Sequence, residues 1–121
     1  NFDFLKKFFS NYQKYFDLPE QYSDVRTPWL AFPLVIKENE FFNRKDMQIF
    51  FEKNNIQTRT IFTGNILKQP VMKKKIFKKH TKSDEEADNV MRNGILIGCH
   101  QGMNKKELEY ICNTFKRFIN R

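Results

Sequence analysis

Apolar residues return every three or four positions at the start of the chain, where Phe2, Leu5, Phe9, Tyr12 and Phe16 share one stripe and Phe4, Phe8 and Tyr15 widen it. That period puts them on one face of an amphipathic helix. The helix has to stop before Pro19, because a proline disfavours helical geometry in the residue ahead of it and has no amide proton to give. Residues 19–28, polar and closed by Pro28, read as a loop. Residues 29–36 form an apolar run broken only by Pro33, which reads as a strand at a sheet edge or one carrying a bulge. Asn43 then stands where a helix cap belongs. Asp46 ends the first turn, Met47, Phe50 and Phe51 make the buried face, and Asn54-Asn55 stops the helix.

The β-branched residues Ile56, Thr58, Thr60 and Ile61 mark a second strand over 56–63 that runs into a Gly64-Asn65 turn. Ser83 and Glu86 have the Ser-x-x-Glu spacing of a capping box, opening a short helix through Ala87, Val90 and Met91 that closes at Asn93-Gly94. Ile95, Leu96 and Ile97 form a third strand ending at Gly98. Asn104 with Glu107 offers another cap, ahead of a last helix lined by Leu108, Ile111, Cys112, Phe115, Phe118 and Ile119. The order helix, strand, helix, strand, loop, helix, strand, helix predicts an α+β fold, a small three-stranded, mainly antiparallel sheet covered by helices.

At 121 residues the chain is one domain, able to bury roughly two-thirds of its unfolded surface. Its 14 Phe, 4 Tyr and 1 Trp exceed what a solvated surface takes, so several aromatics are expected to pack on something outside these residues. The first residue is Asn1 rather than Met, and both signs point to residues 1–121 being one small domain of a longer protein. There is no basic leader before a long apolar run, and no stretch approaches the ~20 apolar residues that span a bilayer. A soluble, cytoplasmic protein with no membrane partner is expected. Cys99 and Cys112 lie far from any CxxC or Cys/His spacing and read as free thiols, with neither a zinc site nor a disulfide.

The net charge is +8, and Lys68, Lys73, Lys74, Lys75, Lys78, Lys79 and Lys82 carry most of it with no acid among them. The basic character therefore belongs to one loop. Such a run would track phosphates in a nucleic-acid-binding module, which is the alternative from a different class. It lacks Arg, Gly and interleaved exposed aromatics, which favours a solvated surface connection and makes nucleic acid the weaker reading. His80, inside the run, is incidental.

Arg59 is the first candidate for chemistry, since a guanidinium within an apolar strand is costly unless it meets a carboxylate, a phosphate or solvent. Asn65 follows Gly64 in a turn, where its amide either contacts a ligand or holds the turn itself. His100 sits between Gly98 and Gly102, which allow a ligand or another backbone to come close. A lone loop histidine is as readily structural. No Gly-rich phosphate loop, no Ser/His/Asp constellation and no paired metal ligands occur, so the chain holds no complete catalytic apparatus, no catalytic residue and no metal site.

These same segments resemble the C-terminal small domain of the DegT/DnrJ/StrS sugar aminotransferase family, the fold-type I pyridoxal-phosphate enzymes. The likeness runs through Trp-Leu-Ala-Phe-Pro-Leu-Val-Ile at 29–36, Asn-Ile-Gln-Thr-Arg at 55–59, Phe-Thr-Gly-Asn at 62–65, Gln69-Pro70, and residues 87–102. Many aminotransferases of the family carry His where this chain has Asn65 and Leu-Pro where it has Ile97-Gly98. The Thr-Gly-Asn, Gln-Pro and Gly-Cys-His forms instead resemble the branch of pyridoxamine-phosphate-dependent 3-dehydratases acting on nucleotide-linked 4-keto-6-deoxyhexoses. The resemblance implies a cofactor, pyridoxal or pyridoxamine 5'-phosphate, bound mainly by a large N-terminal domain that also holds the base and the Schiff-base position. It implies a nucleotide-sugar substrate met by Arg59, Gly64, Asn65 and His100, and a homodimer for the full-length protein. The alternative within the family is a nucleotide-sugar aminotransferase.

Overall fold

The N-terminal apolar stripe does not remain one helix. In the computed structural model, which describes residues 1–74 and 83–121, helix α1 (Phe2–Phe9) gives way to a 3-10 turn over Ser10–Tyr12. The amide of Tyr15 then closes on the carbonyl of Tyr12, and the chain leaves as the short strand β1 (Phe16–Asp17). Phe16 is buried as the period required, but as a strand residue, its ring 5.6 Å from Phe9 and 5.5 Å from Phe115. A spacing of four residues is satisfied equally by one more helical turn and by a reversal that returns the ring to the same core. The sheet accordingly has four strands where the sequence pattern indicated three.

The other strands are β2 (Ala31–Ile36), β3 (Thr58–Thr60) and β4 (Gly94–Gly98). Their order across the sheet is β1-β2-β4-β3, every neighbour antiparallel. β2 is thus an internal strand, although Pro33 marks it for an edge. The register resolves the conflict: β1 covers only Val35 and Ile36, and Pro33 lies opposite Leu96 of β4. Cys99 N–H donates to the Leu30 carbonyl and Lys37 N–H to the Tyr15 carbonyl. The alternation of an antiparallel ladder then turns the nitrogen of Pro33 away from β4, toward the flank where β1 has ended. β3 keeps only three residues of the run expected over 56–63, because Glu52 takes the amide of Thr58 at 2.6 Å and the chain turns after Thr60.

Helices α2 (Arg44–Lys53) and α4 (Lys105–Ile119) begin where Asn43 and Asn104 stand, each closed by a reciprocal capping box with Asp46 and Glu107 respectively. Helix α3 (Glu85–Asn93) differs from expectation. Its cap is Asp84, and Ser83 accepts the Glu85 amide from one position further out, so the Ser83–Glu86 box does not form. Phe32, Leu34, Ile36, Ile95 and Ile97 alternate onto one sheet face and meet Leu5 and Phe9 of α1, Met47 and Phe51 of α2, and Leu108, Phe115 and Phe118 of α4. Aromatic edges organise this core: Phe9 lies 5.8 Å from Phe32 and 5.2 Å from Phe115. Truncating such a ring to alanine costs about 3–5 kcal/mol. Helix α3 packs on the opposite face of β2 and β4 and leaves part of it open. Among the described residues no helix is long and apolar enough to cross a membrane. The Lys75, Lys78, Lys79, Lys82 and His80 portion of the basic run lies outside the described residues.

Candidate functional site

Cross-strand partners share a sheet face, and Arg59, Leu96 and Pro33 stand in one row across β3, β4 and β2 on the side away from the main core. The open part of that face forms the floor of a groove of about 660 Å³, lined by Leu30, Ala31, Arg59, Leu96, Gly98, His100 and Met103, with Lys106 and Tyr110 of α4 along one wall. Two of the expected site residues, Arg59 and His100, therefore meet in one place. Lys106 and Tyr110 escaped the sequence reading because both belong to the solvent side of an amphipathic helix. Only the docking of the first turns of α4 beside β3 and β4 gives them a ligand-facing position.

Arg59 is exposed and makes no hydrogen bond or salt bridge among the described residues, so its planar fork is free for a carboxylate or phosphate. It still acts at a distance on Glu52, whose carboxyl is held below its ordinary value chiefly by the Thr58 amide and hydroxyl, with Arg59 adding to the effect. His100 is oriented by its own turn. Its Nδ1 accepts the Gly102 amide at 3.2 Å, and Asn1 Nδ2 donates to the His100 carbonyl at 2.6 Å. A Cβ on Gly102 would stand 3.1 Å from that Nδ1, so the absence of a side chain there permits the approach. With Nδ1 engaged as acceptor, the neutral ring carries its proton on Nε2. The carboxylate of Glu107 is spent on the Asn104 amide at 2.7 Å, and the Tyr110 hydroxyl donates to the Asn54 carbonyl at 3.0 Å. The groove thus offers an apolar floor, the two cations Arg59 and Lys106 against the single carboxylate of Glu107, and one imidazole donor, a net positive set suited to an anionic ligand with a less polar body.

Gly64 and Asn65 do not line this groove. Gly64 has φ 61°, and a Cβ there would lie 2.4 Å from Met91 Cβ, so the turn presses its backbone onto α3. Asn65 is 2% exposed, with Oδ1 accepting the Leu67 amide at 3.0 Å and Nδ2 donating to Asp88 at 2.7 Å and Asp84 at 3.1 Å. Lys68 pairs with the other oxygen of Asp88. Asp88 is consequently more acidic than usual, through its bonds from Lys68 and then Asn65. Gln69 Nε2 donates to the Thr63 carbonyl at 2.9 Å and closes the loop. Just ahead of these anchors Phe62 holds φ 45° and is 88% exposed. A left-handed backbone costs a residue with a side chain about 1–2 kcal/mol. Sequence reasoning passed over Phe62, since one Phe in an apolar run reads as core.

The pyridoxal phosphate that the resemblance implies does not find a cradle in the described residues. Every buried side-chain polar atom among them is already bonded. The N-termini of α2 and α4, where a phosphate would be received, are closed by their own capping boxes. Among the described residues no group of three or more His, Cys, Asp or Glu is arranged for a metal ion. Both cysteines are buried free thiols. Burial pushes Cys99 up and Cys112 up to about 11, so neither is poised as a nucleophile.

Lipopolysaccharide biosynthesis protein RfbH of Salmonella typhimurium is 28% identical over 98% of this chain, and the match takes up 27% of that protein. A GDP-4-keto-6-deoxy-D-mannose 3-dehydratase of Escherichia coli O55:H7 is 29% identical over 93% of this chain and 28% of its own length. Among solved structures, E. coli GDP-4-keto-6-deoxy-D-mannose-3-dehydratase with bound hydrated PLP superposes with a TM-score of 0.76 over 93% of this chain and 29% of its own, at 24% identity, a likeness of fold. The chain thus spans under a third of the length of these relatives. The family profile itself matches residues 1–116, nearly the whole sequence, and the chain belongs to the DegT/DnrJ/EryC1/StrS aminotransferase family.

Proposed function

We propose that residues 1–121 are the C-terminal small domain of a longer enzyme that removes the C3 hydroxyl of a nucleotide-linked 4-keto-6-deoxyhexose, in the synthesis of deoxysugars for lipopolysaccharide. The observation that carries this reading is the likeness along nearly the whole chain to RfbH and to a GDP-4-keto-6-deoxy-D-mannose 3-dehydratase. The groove supports it, because Arg59 and Lys106 suit the phosphates of a nucleotide sugar and His100 Nε2–H suits a sugar or phosphate oxygen. Pyridoxal or pyridoxamine phosphate would supply the electron sink, held mainly by a large domain outside these residues. The base and the Schiff-base position belong to that domain too, and the full-length enzyme is a cytoplasmic homodimer. This chain's share is to bind and orient. Arg59 and His100 meet the substrate, while Gly64 and Asn65 fix the turn that follows β3.

The test is the product that the full-length protein makes from GDP-4-keto-6-deoxy-D-mannose with the cofactor and glutamate supplied. Loss of the C3 oxygen is expected. An amino sugar that keeps its C3 hydroxyl would move the protein to the aminotransferase alternative, and failure on this sugar and on its CDP- and dTDP-linked counterparts alike would overturn the substrate class.

A further inference from the structure

Phe62 is the one large side chain in the described structure that combines near-complete exposure, 88%, with a left-handed backbone. Nothing local relieves either condition. Residues on both sides are tied down: the Ile61 side chain lies where a Cβ on Gly94 would be, Gly64 is pressed on Met91, and Asn65 is held by Asp84 and Asp88. The clamp fixes the ring outward, so presenting it to a partner surface costs little further ordering. Ile66 and Val71 on the same excursion are 51% and 57% exposed. From 61 to 74 the segment contains no acid, and Lys73 and Lys74 stand exposed beside the apolar residues. An aromatic with two β-branched aliphatics and a basic rim fits an apolar protein surface edged by carboxylates.

We propose that Phe62, with Ile66 and Val71, is the point at which this domain docks on the remainder of its own polypeptide. The proposal rests on the reading of the chain as one domain of a longer enzyme. The relatives it matches are more than three times its length, so such a surface is available within the same molecule.

The experiment uses the full-length protein with Phe62 replaced by the photoreactive residue p-benzoyl-phenylalanine, and the same replacement at Tyr22, which is 69% exposed, as control. Irradiation should link position 62 to a segment preceding Asn1 within one chain, with no covalent dimer on a denaturing gel. A covalent dimer would assign the patch to a second copy and overturn the proposal, as would labelling no greater than at position 22. A second measurement excludes a trivial effect of strain. Asparagine tolerates a left-handed backbone, so Phe62→Asn relieves strain and should still lower the melting temperature of the full-length protein by several degrees. An unchanged or higher value sinks the docking. Neither readout needs turnover, so a full-length protein that fails on the sugar substrate yet gives the intrachain link keeps the docking and loses the function, and the reverse result separates them the other way.

Discussion

Replacing Gly64 with alanine tests whether the turn after β3 is built against α3 or merely near it. The new Cβ would stand 2.4 Å from Met91 Cβ, 2.6 Å from its Cγ and 2.7 Å from its Cα, on a backbone with φ 61°. The positive φ contributes about 1–2 kcal/mol and the forced overlap about 1–3 kcal/mol, so Gly64→Ala should cost about 2–5 kcal/mol. Against a typical domain stability of about 5–15 kcal/mol that is a large shift. The urea midpoint should fall while the slope of the transition stays constant. Two companions separate the causes. Gly64→Asn suits the backbone but carries the same Cβ, so it should shed most of the backbone part and keep the overlap part, about 1–3 kcal/mol. Adding Met91→Ala to Gly64→Ala removes only the Cγ contact and should recover a minor part. A loss below about 1 kcal/mol for Gly64→Ala, or full rescue by Met91→Ala, would mean the turn slides off α3 freely and the close-packing argument is wrong.

Other outcomes follow from the same structure. Glu52 and Asp88 both have folded pKa values below the ordinary 4.5 and 3.8, so the stability they contribute is complete above those values and is lost as pH falls through the lower folded ones. Glu52→Gln should therefore weaken the protein at neutral pH and flatten the acid limb of its stability profile; an unchanged limb refutes the role given to the Thr58 bonds. Asn65→Asp sets a third carboxylate where the amide now donates to Asp88 at 2.7 Å and Asp84 at 3.1 Å. One proton should be retained in the cluster with a raised pKa, so this variant's deficit is greatest at neutral pH and shrinks on acidification. A pH-independent deficit would count against the buried amide as the cause. Arg59→Ala should leave the unfolding midpoint within about 0.5 kcal/mol while weakening nucleotide-sugar binding by the full-length protein about tenfold or more, and Arg59→Lys should restore only part; calorimetric titration with intact affinity would remove Arg59 from the site. Cys99 and Cys112 should react with a thiol reagent only after unfolding, and rapid labelling of the native protein would contradict their burial.

What the sequence reveals depends on whether a residue's partner lies nearby in the chain. Asn43 and Asn104 are legible as caps because Asp46 and Glu107, which complete the boxes, stand three residues on. Ile95 and Ile97 are legible in the same way, from the short apolar run they share with Leu96 between two glycines. Phe16 is not, since its place in β1 is decided by Val35 and Ile36, far along the chain. Ser83 has the spacing of a box, yet Asp84 becomes the cap, beside the Asn65 amide that reaches it from the preceding loop.

The site follows the same rule. Arg59 stands out because a charge interrupts an apolar run, and His100 because glycines flank it, and the register of β3 on β4 brings both to one groove. Gly64-Asn65 stands out as strongly, but a turn amide facing a ligand and one facing two aspartates are written identically. Three bonds to the Leu67 amide, Asp84 and Asp88 leave the Asn65 side chain no free polar atom for a sugar. Within the described residues its bonds hold the turn after β3.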